Sequence, residues 1–364
     1  MKVGITCEIS TLTKIWSNGL FQNLLTLHGI LEKIPGIESV LVCKTINEDS
    51  EFESKILNSI GTNVVFLNNE TFKSAPSFDV ILEVGFALSK KDFNNARKFS
   101  PETKIVHICY GSLYFTATER MVFSDMFFDI EGKRDEVWIS PHFMYSKDFI
   151  SSFFETDRVK ICPYVWDPTL LESDIKNTGK INSDIKNVAI LEPSVNILKT
   201  PTIPAMICNE VFKKQSDLID HCFVFGGEKL VQKTIANNIF GRLEIVKDGK
   251  LTFEKRKKFS DIFVNHCGLI VSHQHFCELN YVYLEALHLG IPLVHNSPMI
   301  KDAGYYYPDF EIKKGAKALQ KAIETHESRS KEYDEISKKT VWNYSSKNPK
   351  NIKGYAHLIE SLIK

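Results

Sequence analysis

The chain of 364 residues carries 45 Lys and Arg against 45 Asp and Glu, a formal net charge of zero, so nothing electrostatic advertises a polyanion or an anionic membrane as partner. With 43% hydrophobic and 25% charged residues the composition is globular, and the length suffices for two domains that each bury a core. The eight cysteines form no C-x-x-C pair, no secretory leader pattern opens the chain and no apolar run nears the ~20 residues that span a bilayer, so a soluble cytoplasmic protein is expected.

Residues 1 to about 166 alternate strand and helix. The strand candidates are Lys2 to Cys7, Ser39 to Lys44, Asn63 to Leu67, Asp79 to Gly85, Lys104 to Cys109, Glu136 to Ser140 and Val159 to Pro163. Short buried strands separated by helices argue for a parallel sheet covered on both faces. The first helix opens at Ser17-Asn18-Gly19, ahead of Leu20, Phe21, Leu24, Leu25, Leu27 and Leu31. Such a polar, glycine-containing helix start can take a phosphate or an acceptor hydroxyl, which makes Asn18, Gly19 and Gln22 candidates; an ordinary helix cap is the alternative.

Residues 167–186 are polar and turn-rich, and read as an interdomain linker. A second alternating series starts at Asn187. Its first strand runs to Leu191 and ends in Glu192-Pro193-Ser194; a helix over Thr202 to Lys214 follows, then a strand over His221 to Phe225 ending in Gly226-Gly227, and another over Gly241 to Val246. The basic run Lys247 to Lys258 reads as a solvated turn and helix start. Strand Leu269 to Val271 stops at Ser272, His273, Gln274 and His275. The helix from about Glu278 to Leu289 comes next, and then a strand ending at His295, Asn296 and Ser297. Four strand ends in this half are thus polar or glycine, and on one edge of one sheet they would make a cleft.

Within that helix Glu278, Tyr281, Glu285 and His288 share a face, while Leu279, Val282, Ala286, Leu287 and Leu289 fill the others. A carboxylate in so apolar a helix needs a partner. At the carboxyl edge of a parallel sheet a pair of sugar hydroxyls, as on a ribose, would supply one, so Glu285 is the leading candidate. At the end of the chain, Ile352, Tyr355, Ile359 and Leu362 form one stripe, and residues 351–364 are expected to dock as a helix, with the N-terminal domain as the place to return to. The expected domains are 1–166 and 187–350.

The segment Leu284-Glu285-Ala286-Leu287-His288-Leu289-Gly290-Ile291-Pro292-Leu293-Val294 resembles the donor-binding signature of GT-B glycosyltransferases. There a glutamate followed by Ala, apolar residues, Gly, any residue and Pro closes on the nucleotide ribose. Glu278 stands seven residues before Glu285, where the usual spacing to the first acidic residue is eight. A closer resemblance is to an uncharacterised bacterial family, a domain of unknown function grouped with the GT-B superfamily. It is carried by Glu192-Pro193-Ser194-Val195-Asn196-Ile197-Leu198-Lys199-Thr200, Ser272-His273-Gln274, Leu279-Asn280-Tyr281, Pro292-Leu293-Val294-His295-Asn296-Ser297 and Gly304-Tyr305-Tyr306-Tyr307-Pro308.

The resemblance implies an α/β fold of GT-B type, two Rossmann-like domains facing a cleft, and transfer of a sugar from a nucleoside diphosphate to an acceptor such as a polysaccharide, lipid-linked glycan or protein. Glu285 would hold the ribose. Asn280, Tyr281 and the N–H groups opening their helix, with Lys199, would offset charge on the diphosphate leaving group. Glu192, Asn196, Gly226, Gly227, Glu278, His273, Gln274, His295 and Asn296 complete the donor-side candidates. A catalytic base, if the reaction inverts, would come from the first half, where Glu8, Glu83 and His107 stand at strand ends. No Asp-x-Asp pair ends a strand and no Cys and His set has tetrahedral spacing, so a metal-independent reaction without cofactor is expected. No phosphate loop or serine elbow appears. The alternatives are transfer to a modified base in DNA, as in some bacteriophage enzymes, a two-domain epimerase, and a non-catalytic protein that binds the nucleotide or sugar.

Overall fold

Short apolar strands buried on both faces need helices above and below them, and both halves of the chain meet that need in the same way. In the computed structural model, which describes residues 1–8, 19–44, 64–67, 78–123, 132–194, 196–277 and 279–364, thirteen strands form two parallel sheets. The first sheet holds β1 (Lys2–Glu8), β2 (Glu38–Lys44), β3 (Val64–Leu67), β4 (Val80–Glu83), β5 (Lys104–Cys109), β6 (Glu136–Ile139) and β7 (Val159–Ile161) in the order β3-β2-β1-β4-β5-β6-β7. The second holds β8 (Asn187–Ile190), β9 (His221–Phe225), β10 (Leu251–Glu254), β11 (Leu269–Val271), β12 (Leu293–His295) and β13 (Tyr305–Tyr306) in the order β10-β9-β8-β11-β12-β13. In each sheet the order reverses beside the first strand, between β1 and β4 and between β8 and β11. Open sheets of this kind bind ligands at that reversal, outside the carboxyl ends of the strands.

The chain divides into two compact units, Met1–Asp167 with Tyr344–Lys364, and Pro168–Asn343. The first unit recovers the end of the chain through pairing at Trp166, whose N–H donates to Tyr344 O at 2.8 Å while Ser346 N–H donates to Trp166 O at 3.0 Å. Helix Pro349–Ile363 then buries Tyr355, Leu358, Ile359 and Leu362 in the same core as Leu24 and Leu27. The Tyr355 hydroxyl donates to Pro163 O at 2.8 Å. Close packing extends to β1, where a Cβ on Gly4 would lie 2.9 Å from Val42 Cγ2.

Two expectations are corrected here. The stretch 167–186 holds helix Thr169–Thr178 rather than a bare linker. Its Leu171 is buried, and its Asp174 accepts hydrogen bonds from Ser260 Oγ and from Lys258 Nζ at 3.2 Å, so polar composition conceals a docked element. Gly241 to Val246 is a turn leading into the short helix Glu244–Lys247, with Ile245 N–H held by Asn209 Oδ1 at 3.2 Å. The strand of this region is β10, inside the basic run, where Leu251 and Phe253 supply the apolar positions that pair along β9. No helix among the described residues is long and apolar enough to cross a membrane.

Candidate functional site

The carboxyl ends of β8, β11 and β12 meet in one buried polar network. Glu192, two residues beyond β8, is fully buried. One of its oxygens accepts from Ser272 Oγ and from the His273 N–H at 3.3 Å; the other accepts from Gln274 Nε2 at 2.7 Å. Burial pushes the Glu192 carboxyl up to about 7, against the pull of Ser272, Lys199, Gln274 and the His273 N–H. Ser272 Oγ also bonds the Tyr283 hydroxyl at 2.9 Å, which carries the network from the strand ends to the helix Tyr281–His288.

The neutral rings have readable tautomers. The Tyr307 hydroxyl donates to Ser272 O at 3.0 Å, so it must accept from His273 Nδ1, also at 3.0 Å. Burial, with His275 adding to it, drops His273 to about 4, so the ring is neutral and Nε2 carries a lone pair. That Nε2 is buried without a hydrogen-bond partner among the described residues. His295 differs: Ser297 N–H donates to its Nδ1 at 3.1 Å and its Nε2 donates to Ala303 O at 2.8 Å. Expected to touch donor, His295 is fully buried with both nitrogens used, and its place is structural. Asn296 is likewise engaged, accepting from Gln274 N–H at 3.0 Å and donating to Gln274 O at 2.9 Å. It clamps the loop that presents His273 and Gln274.

Asn280 caps the helix Tyr281–His288 by accepting from the Tyr283 N–H at 3.3 Å, while its Nδ2 is buried with no partner among the described residues. Tyr281 opens the helix and is buried. One turn further on, Glu285 is 9% exposed and raised to about 7 by burial alone, with no hydrogen bond or ion pair among the described residues. Lys199 lies close enough to bias Glu192 electrostatically, in a loop turned by Asn196, whose Oδ1 accepts from Leu198 N–H at 3.2 Å. Leu198 O accepts from His275 N–H at 3.0 Å, which ties this loop to the end of β11. Gly226 takes φ +80 against Pro193, and a Cβ on Gly227 would lie 2.9 Å from Phe253, so both glycines serve close backbone approach.

Buried polar atoms without partners are rare in folded proteins and each calls for an explanation. Among the described residues nine side-chain atoms are so placed, and six of them, on Ser194, Glu228, His273, Gln274, Asn280 and Ser297, lie in the segments that follow β8, β9, β11 and β12. Ser194 also has φ 52, a left-handed conformation for a residue that is not glycine. The atoms include acceptors (His273 Nε2, Gln274 Oε1) and a donor (Asn280 Nδ2), the kind of set that a ligand rich in hydroxyl groups satisfies.

The candidates in the first unit fare otherwise. Glu83, expected as a possible base, accepts from Arg134 Nε at 3.1 Å and Nη2 at 3.0 Å, from Leu88 N–H at 2.9 Å and from His107 Nδ1 at 3.0 Å. Those bonds occupy its lone pairs and leave none for a substrate proton. His107 is raised to about 9, burial opposing the charge and Cys109 and Glu83 outweighing it, so it is an imidazolium at neutral pH and has no free base to offer. Gly19 begins helix Gly19–Leu31 and accepts from Asn23 Nδ2 at 2.9 Å; Gln22 is half-buried on that helix. Glu8 ends β1 beside Lys44 of β2. Asn18 and Glu278 lie outside the described residues. No three His, Cys, Asp or Glu side chains gather as metal ligands among those described.

Residues 3–359 match the model of a family described as a protein of unknown function, DUF2827. The chain belongs to the DUF2827 family. No curated protein matches it. Among solved structures, this DUF2827 member is similar to Anabaena HepE in complex with UDP and glucose, at 14% identity and TM-score 0.60, covering 100% of this chain and 99% of that one. It is also similar to a glycosyltransferase from Rickettsia africae ESF-5 (11%, TM-score 0.59, 100% and 98% covered) and to the pneumococcal O-GlcNAc transferase GtfA in complex with UDP and GlcNAc (9%, TM-score 0.58, 100% and 99% covered). The fold is GT-B-like, shared with nucleotide-sugar glycosyltransferases.

Sequence reasoning about this DUF2827 chain did not reach Tyr283, Arg134 or the role of Tyr307. Tyr283 stood among apolar helix neighbours and Tyr307 in an aromatic run that reads as packing, and nothing in local spacing marks either hydroxyl as part of a network. Arg134 is fully buried beside Glu83, 51 residues away in sequence. Only an unpaired charge in an apolar run could have hinted at it.

Proposed function

We propose that this chain is a glycosyltransferase that binds a nucleoside diphosphate sugar at the carboxyl ends of β8, β11 and β12 and passes the sugar to an acceptor hydroxyl. The observation that carries the reading is Glu285, a buried carboxylate without a partner among the described residues, one turn inside a helix whose start adjoins the unsatisfied polar atoms of His273, Gln274 and Asn280. A ribose diol donates two hydrogen bonds to a carboxylate and so replaces the water that Glu285 lost on folding. The N–H groups that open the helix, with Lys199, oppose the negative charge that grows on the diphosphate as the glycosidic bond breaks. His273 Nε2 and Gln274 Oε1 accept from hydroxyl or imide hydrogens of the donor. The leaving group is balanced by these fixed donors, and the reaction runs without a metal ion. The likeness to HepE and GtfA, whose structures hold UDP with glucose or GlcNAc, supports a donor of this class. The acceptor is a glycan, a lipid-linked saccharide or a protein.

A thermal-shift panel of nucleoside diphosphates and their sugars tests this reading. One nucleotide is expected to raise the melting temperature in proportion to the logarithm of its concentration, and Glu285→Ala to abolish the shift. A flat response to every member of the panel at millimolar concentration sinks the proposal. Binding without release of nucleoside diphosphate, over a broad set of acceptors, points instead to a non-catalytic binding protein.

A further inference from the structure

The second unit contains a cavity that none of the strand-end residues lines. It lies beside the edge strand β13 and has a volume of about 580 Å³. That falls within the range of small-molecule sites, about 300–1,000 Å³. Three of its lining residues, Lys314, Lys317 and Lys321, are three and four positions apart on helix Ile312–Thr325 and share one face. Like charges at this spacing repel, and a merely solvated helix face offsets them with acids. This helix has a single acid, Glu324, which accepts from Gln320 Nε2 at 2.8 Å and does not line the cavity.

Lys301 and Arg329 reach the cavity from other segments. Arg329 is held by Glu332 through bonds of 3.0 and 2.9 Å, and Lys314 by Glu311 at 2.8 Å. Lys301, Lys317 and Lys321 have no acidic partner among the described residues, and Asp302 is the one acid of the lining that is not engaged with a cation. A chain of zero net charge therefore gathers uncompensated positive charge around one hollow.

Part of the lining is aromatic and fixed. The Tyr305 hydroxyl bonds His326 Nδ1 at 3.2 Å, its ring stacks on Tyr333 at 5.8 Å, and Tyr306 beside it is half-buried. Tyr305 and Tyr333 are buried and fix the wall, while the half-buried Tyr306 offers an apolar surface with a polar edge, which suits the C–H face of a pyranose. A free phosphate would leave most of this volume empty.

We propose that this cavity is a second ligand site, which takes a saccharide unit bearing a phosphate or carboxylate group. The site is separate from the donor network, and the proposal stands or falls independently of the donor reading. Calorimetric titration at low ionic strength tests it, with a hexose phosphate and a galacturonate trimer as the two anionic probes and the neutral hexose as control. At least one anionic probe is expected to bind saturably while the neutral hexose does not, and the probe that binds identifies the source of the charge. Lys317→Gln/Lys321→Gln and, on a different segment, Lys301→Gln are each expected to weaken binding about tenfold with the melting temperature unchanged, and saturating UDP to leave it unaffected. The proposal is overturned by equal binding in the variants, by binding of the neutral hexose, by displacement with UDP, or by no binding of either anionic probe at millimolar concentration.

Discussion

Tyr307 orients His273: because the tyrosine spends its only hydrogen on Ser272 O at 3.0 Å, the imidazole must donate to it through Nδ1 and leave Nε2 as a bare acceptor. The buried ring of His295 is set the opposite way, with its proton on Nε2 facing Ala303 O.

This pair of tautomers is measurable. Nitrogen NMR shifts of the two imidazoles are expected to show His273 protonated at Nδ1 and His295 at Nε2, both neutral down to about pH 5, since each is lowered to about 4. Tyr307→Phe removes the acceptor of His273 and the donor to Ser272 O, and should cost about 1–3 kcal/mol by chemical denaturation. An Nε2-protonated His273 would remove it from the set of acceptors.

Glu285 should make the fold less stable as pH rises. Its folded value of about 7 lies above the unfolded value of 4.5, so the folded state holds the proton longer, and stability declines as pH climbs from about 4.5 to 7. Glu285→Gln lacks that decline. Between about pH 5 and 8 the variant is expected to gain up to about 3 kcal/mol on the wild type, the displacement taken at about 1.36 kcal/mol per unit. Parallel pH profiles of the two proteins would place Glu285 beside an unseen cation.

Donor binding should have the opposite slope. A ribose diol donates to the ionised carboxylate, so affinity for the nucleotide is expected to tighten as pH rises through about 7. Isothermal titration at several pH values reads this, together with proton release on binding in the acid half of the range. An affinity that is level across that interval counts against a diol at Glu285.

The cluster of Glu83, Arg134 and His107 is expected to behave as structure. Arg134→Leu leaves Glu83 buried without its guanidinium and should cost about 3–5 kcal/mol. Glu83 is held below its ordinary carboxylate range, burial resisting and His107 and Arg134 prevailing, so its stabilisation is present above the unfolded value and lost in acid. His107 contributes fully below 6.5 and its contribution fades as pH rises toward about 9. A His107→Gln variant that keeps the wild-type alkaline profile would disprove the pairing.

By itself the sequence determined that the chain builds two parallel α/β sheets, because short apolar strands, none longer than seven residues, separated by amphipathic helices have few other ways to bury both faces. It also marked Glu285, since a carboxylate surrounded by Leu284, Ala286 and Leu287 is anomalous on local grounds alone. It misplaced one strand, putting it at Gly241 to Val246 rather than at Leu251–Glu254, because lysines and an arginine around β10 mask its short apolar pattern. Tertiary structure alone decided which polar residues are spent and which are spare. Glu83 and His295 looked as available as Glu285 and His273, yet Arg134 consumes the first and Ala303 with Ser297 the second. Arg134 comes to Glu83 from 51 residues away, and Ser297 and Ala303, though within eight residues of His295, reach its ring only through the turn the chain takes after β12, a geometry that residue periodicity does not encode.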